Sequence, residues 1–196
     1  MSVEIMTVLM GSGFVLWMAK TVYTEIKEWA KRRREKKPFS PVFTKVSEVY
    51  ETLNEMMLEM GADRVVLLRS HNGGGKPQLG HALFSSVEYE AWGKGLRSIR
   101  RSWSKQRVDE VYIKMLRKLD ESGYLDVYLE TMPDGMLKEL YFSNHVLASK
   151  VAKIHETKND YFYISVNFSK TSDIDNAIMK TNFRKYVTIL TNLFDD

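Results

Sequence analysis

The residues best suited to chemistry in this chain lie in one short stretch. Arg69, His71 and Asn72 follow the apolar run Val65-Val66-Leu67-Leu68 and lead directly into Gly73-Gly74-Gly75. A strand alternates its side chains, so Arg69 and His71 share a face with Val65 and Leu67. Glycines after Asn72 can take positive φ and turn backbone N–H groups outward, a geometry that holds anions. Arg69, His71, Asn72, Gly73 and Gly74 are therefore the candidate ligand-binding set. The same residues have a purely structural use, in which His71 and Asn72 hydrogen-bond the neighbouring strand and fix the turn. Both uses fit the sequence.

Catalysis would need a nucleophile with its base, or two carboxylates in one cleft. Asp63, Glu88, Glu90, Asp126 and Glu130 are scattered on or near strands, and no P-loop, dinucleotide fingerprint, metalloprotease helix or GxSxG is present. His71, His81, His145 and His155 have no metal-ligand spacing. With no cysteine in the chain, a disulfide scaffold and a thiolate zinc or redox site are excluded. The expectation is a non-enzyme with no catalytic residue, no metal site and an unidentified cofactor, if it has one.

A second cluster is basic. Residues 94–107 hold Lys94, Arg97, Arg100, Arg101, Lys105 and Arg107 with no acid among them, next to Trp92 and Trp103. Aromatics interleaved with cations suit single-stranded nucleic acid or phosphate groups. A solvated connection between elements has the same composition. The net charge of +4 does not favour the first reading: residues 1–37 carry 8 Lys and Arg against 4 Asp and Glu, leaving 21 of each sign for the remainder. The whole excess is N-terminal, which directs the electrostatics to a membrane surface and makes nucleic acid the secondary expectation.

The elements that must position these residues follow in order. Residues 5–19 are uncharged and largely apolar, and a helix continued to Tyr23 would span roughly 28 Å at 1.5 Å per residue, close to a bilayer's hydrocarbon core. Lys31-Arg32-Arg33-Arg34 lies on its C-terminal side. That arrangement predicts a single-pass anchor with the N-terminus outside and the following domain cytoplasmic. An in-plane helix and a soluble packed helix are the competing uses, since Gly11, Ser12 and Gly13 weaken the span. The organisation expected is an anchor and basic segment over 1–37, a connecting helix over 38–61 and a sheet domain over 62–196.

Ser40 and Pro41 open that connecting helix, and Gly61 ends it. Its stripe of Val42, Val46, Val49, Leu53, Met56 and Met60 serves either its own sheet or a homodimer through residues 42–60. Beyond the central strand, strand pattern resumes over 81–89. Val108, Val111, Tyr112, Met115, Leu116 and Leu119 mark a helix over 108–122 that Gly123 stops. Strands are expected over 124–131, 145–156 and 161–168, a short helix over 136–143, and a last helix capped near Asp173 with Ile174, Ile178, Phe183, Val187, Leu190 and Phe194 on its docking face. Helices grouped around an antiparallel sheet make an α+β domain.

This order, with Gly61-Ala62-Asp63-Arg64-Val65 leading through the apolar strand to His71-Asn72-Gly73, resembles the GAF domain family. It looks most like a divergent prokaryotic and phage-encoded group, and the late Tyr163-Ile164-Ser165-Val166-Asn167-Phe168 strand before a long terminal helix is similar to the close of a GAF domain. The resemblance covers residues 42–194. It implies a six-stranded, PAS-like sheet with a pocket on one face, used to bind a small molecule or relay a signal, often as a helix-paired dimer. Cyclic-nucleotide and bilin activities are not carried over, because their signatures are missing.

Overall fold

The computed structural model describes residues 24–25, 27, 39–73, 81–171, 174 and 177–195. The chain divides into two units, Met1–Phe43 and Thr44–Asp196. Among the described residues no helix is long and apolar enough to cross a membrane. The expected anchor over 5–23 lies outside the described residues, as do Gly74 and the rest of the glycine-rich loop through Gly80.

The larger unit is an α+β domain on one six-stranded antiparallel sheet. Its strands are β1 (Arg64–His71), β2 (Phe84–Trp92), β3 (Gln106–Arg107), β4 (Tyr124–Tyr128), β5 (Ala148–Glu156) and β6 (Asp160–Phe168), in the spatial order β3-β2-β1-β6-β5-β4. β1 is central, paired with β2 on one side and β6 on the other. Both of its faces are covered, which is why Val65 to Leu68 reads as a continuous apolar run instead of an alternating one.

One face packs against α1 (Phe39–Glu59) and α4 (Ala177–Asp195). Val49, Leu53 and Met56 of α1, with Met60 just past its end, meet Val65 and Leu67 of β1, Ile164 and Val166 of β6, and Phe183, Tyr186 and Leu190 of α4 in one core. From Val49 onward the α1 stripe is thus occupied by its own sheet. Its outward side shows Ser47, Glu48, Glu51, Asn54, Glu55 and the exposed Leu58.

The other face carries α2 (Glu110–Ser122), α3 (Met136–Ser143) and the loop over 93–105, packed on Val66, Leu68, Val151 and Tyr163. Asp109 starts α2: its Oδ1 accepts the Tyr112 N–H at 2.9 Å, while Oδ2 accepts the Met136 N–H at 2.8 Å. One carboxylate therefore caps two helices and sets the spacing between them. Gly135 is small because a Cβ there would lie 2.8 Å from that same oxygen. At the other end of α2, Gly123 has φ 74° and donates its N–H to the Leu119 carbonyl, the stop that its type predicts.

Several boundaries differ from expectation. The periodic pattern supplied five strands, and the sixth is β3, two residues at the end of the basic stretch that pair with Phe84 and Ser85. Two residues carry no readable period. The 124–131 strand ends at Tyr128 and turns into a short 3-10 helix, Leu129–Thr131. β5 begins at Ala148, because His145 sits at φ 56° in the turn after α3. Ile178, assigned to the docking face of the last helix, is 69% exposed.

Candidate functional site

His71 lies on the α1/α4 face of the sheet with Val65 and Leu67, as strand alternation requires, and it is buried. Its Nδ1 accepts the Gly73 N–H at 3.1 Å, so the ring proton sits on Nε2, which donates to Ser86 Oγ at 3.1 Å. The same Oγ accepts the Lys105 N–H at 2.9 Å. Both ring nitrogens are committed to the protein's own turn and to the neighbouring strand β2. Gly73, with φ 84°, supplies the left-handed turn but gives its N–H to His71. Asn72 follows β1 in a bend and is half-buried.

Arg69 is likewise taken. A bulge opposite Leu67 and Leu68 leaves Glu88 out of register, and Glu88 Oε1 accepts the Arg69 Nε–H at 2.7 Å while Asp160 stands 3.4 Å from Nη1. Of the proposed set, the structure brings Arg69, His71 and Gly73 together as a strand-end brace, apart from the residues that line the cavity described below.

Burial lowers the His71 pKa below its ordinary value. The nearby Arg69 and Lys105 charges lower it further, while Asp160 and Glu88 raise it. A histidine that is harder to protonate when folded contributes stability that is complete above the unfolded pKa of about 6.5 and is lost as pH falls through the folded pKa. Acidifying from pH 7.5 toward 5.5 is expected to lower the denaturation midpoint, with a limiting slope of about 1.4 kcal/mol per pH unit for one proton. A His71→Gln variant with an unchanged slope over that interval would assign the dependence to another group.

The basic stretch is exposed at Arg97, Arg100, Arg101, Lys105 and Arg107. Its two aromatic neighbours differ: Trp92 is 44% exposed, whereas Trp103 is 4% exposed, stacks on Tyr112 at 6.2 Å and hydrogen-bonds Ser85. Base stacking at Trp103 would require removing it from the core. Arg100 reaches back to donate to Tyr50 Oη on α1 at 3.1 Å. The stretch therefore acts as a lid strap across the sheet end.

Under that strap lies a cavity of about 40 Å³. The sheet supplies Val66, Leu68, Val151, Tyr163, Ser165 and Asn167; α2 and α3 supply Tyr112, Met115, Leu137, Leu140 and Tyr141; the strap supplies Ile99 and Trp103. Its walls are mostly apolar. Arg64, Asn144, Ser165 and Asn167 make one polar end. Toward the other, Tyr112 Oη hydrogen-bonds Tyr163 Oη, and Ser85 Oγ bonds both at 3.2 and 2.9 Å. Burial pushes the Tyr112 and Tyr141 hydroxyls up and Tyr163 to about 12, so all three stay protonated.

The polar end is organised by a buried ion pair. Arg64 and Glu90 side chains are 4% and 2% exposed, with Nε 3.1 Å from Oε1. Nη2 donates to the Arg97 carbonyl at 2.7 Å and Nη1 to Asn144 Oδ1 at 3.4 Å. Glu90 accepts the Ile99 N–H at 3.0 Å and the Ser98 hydroxyl at 2.6 Å. The pair therefore ties β1, β2, the strap and the end of α3 into one junction beside the cavity. Nε is close to Glu90 but off the hydrogen-bond direction, and its N–H has no partner.

Arg64, Glu90 and Asn167 were not among the residues that sequence patterning selected. A signal existed: Arg64 and Glu90 occupy strand positions that alternate onto the same face as Val66 and Leu68, where a charge is out of place without a partner.

No family model and no curated protein matches the sequence. Solved structures do resemble it. A far-red cyanobacteriochrome photoreceptor aligns with a TM-score of 0.56 at 12% identity, over 91% of this chain and 97% of that one. The phycoerythrobilin-bound GAF domain of a cyanobacterial phytochrome aligns at 0.51 and 16% identity, over 74% and 82%. The GAF domain of a two-component sensor histidine kinase from Bacillus halodurans aligns at 0.50 and 13% identity, over 74% and 92%. The fold is GAF-like.

Proposed function

We propose that this chain is a non-catalytic, GAF-like sensory module that takes a small ligand in the cavity between the sheet, α2, α3 and the strap. The observation that carries the reading is the junction at the cavity's polar end, where Arg64 and Glu90 join four elements at the wall a ligand would touch. A ligand that altered this wall would bias the strap and α3 together, which is how occupancy would be passed on. A bilin does not suit this cavity: ligand pockets for drug-sized molecules run to about 300–1,000 Å³, and this one is about 40 Å³. We assign the N-terminal segment as a single-pass anchor that holds the domain at the cytoplasmic face, on the strength of its apolar run and following basic cluster. A homodimer would use the N-terminal part of α1, where Val42 and Phe43 are exposed, because the stripe beyond Val49 is occupied. Binding of nucleic acid or phosphate by residues 94–107 is the weaker reading, since Trp103 is buried.

The test is non-denaturing mass spectrometry of the full chain from detergent micelles, compared with Leu140→Trp, which fills the cavity from a half-buried position on its wall. The expected result is a co-purifying small molecule present in the original protein and absent in the variant. A folded protein that emerges empty in both forms turns the reading toward protein interaction alone.

A further inference from the structure

We propose that the cavity selects a small neutral molecule, with one hydrogen-bond acceptor on a short apolar body, and rejects the anion of the same shape. This rests on the ligand-binding reading above. An arginine at a cavity wall ordinarily invites a carboxylate or phosphate. Here the charge is already matched, because Glu90 stands 3.1 Å from Arg64 Nε and is itself held by the Ile99 N–H and the Ser98 hydroxyl. An entering anion would make two negative charges on one buried cation, and the uncompensated one is strongly disfavoured away from water.

What remains unmatched at this end are donors. Ser165 Oγ donates to Asn167 Oδ1 at 2.8 Å, so the group that Asn167 can still offer at the cavity wall is its amide N–H donors. The Arg64 Nε–H, beside Glu90 but off the hydrogen-bond direction, is a second donor. Asn144 is used on both sides, accepting from Arg64 and donating to the Leu140 carbonyl. Asn167 is 6% exposed, so it lies at the wall and not on the outer surface. A carbonyl oxygen of an amide, ketone or ester answers them without adding charge. Val66, Leu68, Met115 and Leu137 then receive the apolar body. Roughly 10–15 Å³ of such volume holds one water, so 40 Å³ limits the ligand to a few non-hydrogen atoms.

Propionamide and propionate are nearly isosteric and differ in charge, which makes them the probes. The full chain labelled with 13C-methyl methionine is titrated with each at pH 7, and the Met115 methyl resonance is followed, assigned by its loss in Met115→Leu. Propionamide is expected to move that resonance saturably, with propionate needing at least a tenfold higher concentration. Glu90→Gln removes the matching charge and is expected to reverse the order. Should that variant fail to fold, the comparison in the original protein still decides. Propionate binding at equal or lower concentration overturns the proposal and leaves ligand binding intact, as does an unreversed preference in folded Glu90→Gln. A Met115 resonance unmoved by both probes overturns it as well. In that case, a larger co-purifying molecule lost in Leu140→Trp preserves the ligand-binding reading, and its absence removes both.

Discussion

Glu90→Ala is expected to destabilise the domain by about 3–5 kcal/mol, the usual result of removing one member of a buried ion pair. The side chains of Arg64 and Glu90 are 4% and 2% exposed, so the guanidinium left behind cannot recover hydration by a small movement. The Ile99 N–H and the Ser98 hydroxyl lose their acceptor as well. A domain with about 5–15 kcal/mol of total stability would lose a large fraction of it. Replacing both partners, as in Arg64→Met with Glu90→Leu, is expected to recover most of the loss, because an apolar pair of similar volume avoids the desolvation penalty. Tryptophan fluorescence during chemical denaturation measures both, since Trp103 lies in the same core. A loss under about 1 kcal/mol, the range of exposed pairs, would mean that water reaches the junction.

Leu67→Ala is expected to cost about 3–5 kcal/mol, the upper part of the range for large-to-small changes in a closed core. Leu67 has no exposed surface and sits on the central strand between α1 and α4, where neighbours from three elements hold the space open. Rigid surroundings on every side prevent collapse into the void. Leu58→Ala on α1 is the matched control: that side chain is 76% exposed, and its truncation is expected to stay within about 0.5 kcal/mol. Denaturant midpoints with unchanged slopes provide the comparison. Equal losses at the two positions would contradict the placing of Leu67 in the closed core and of Leu58 on the outer face of α1.

The folding pattern was legible wherever local chemistry decides it. Gly123 ends α2 in the left-handed conformation, and the 4-3-4 spacing of Val49, Leu53, Met56 and Met60 turns one face of α1 to the sheet. Alternation along β1 put His71 with Val65 and Leu67, as observed. β3 was invisible because two residues have no period, and its pairing with Phe84 and Ser85 depends on where the strap lies.

The candidate site shows the same division more sharply. By itself the chain determined its element types, its central strand, the lack of thiol chemistry and the placing of its excess charge at the N-terminus, all of which follow from composition and near-neighbour spacing. Only the tertiary structure decided which polar residues meet. His71 and Arg69 stand out in the sequence beside glycines, yet their hydrogen bonds run to Ser86, Gly73, Glu88 and Asp160. Arg64 is 26 residues from Glu90 and 80 from Asn144, and they meet beside the cavity because β1, β2 and the end of α3 converge there. Hydrogen bonding and charge pairing act over a few ångströms through space, whereas sequence patterns report the period of the backbone.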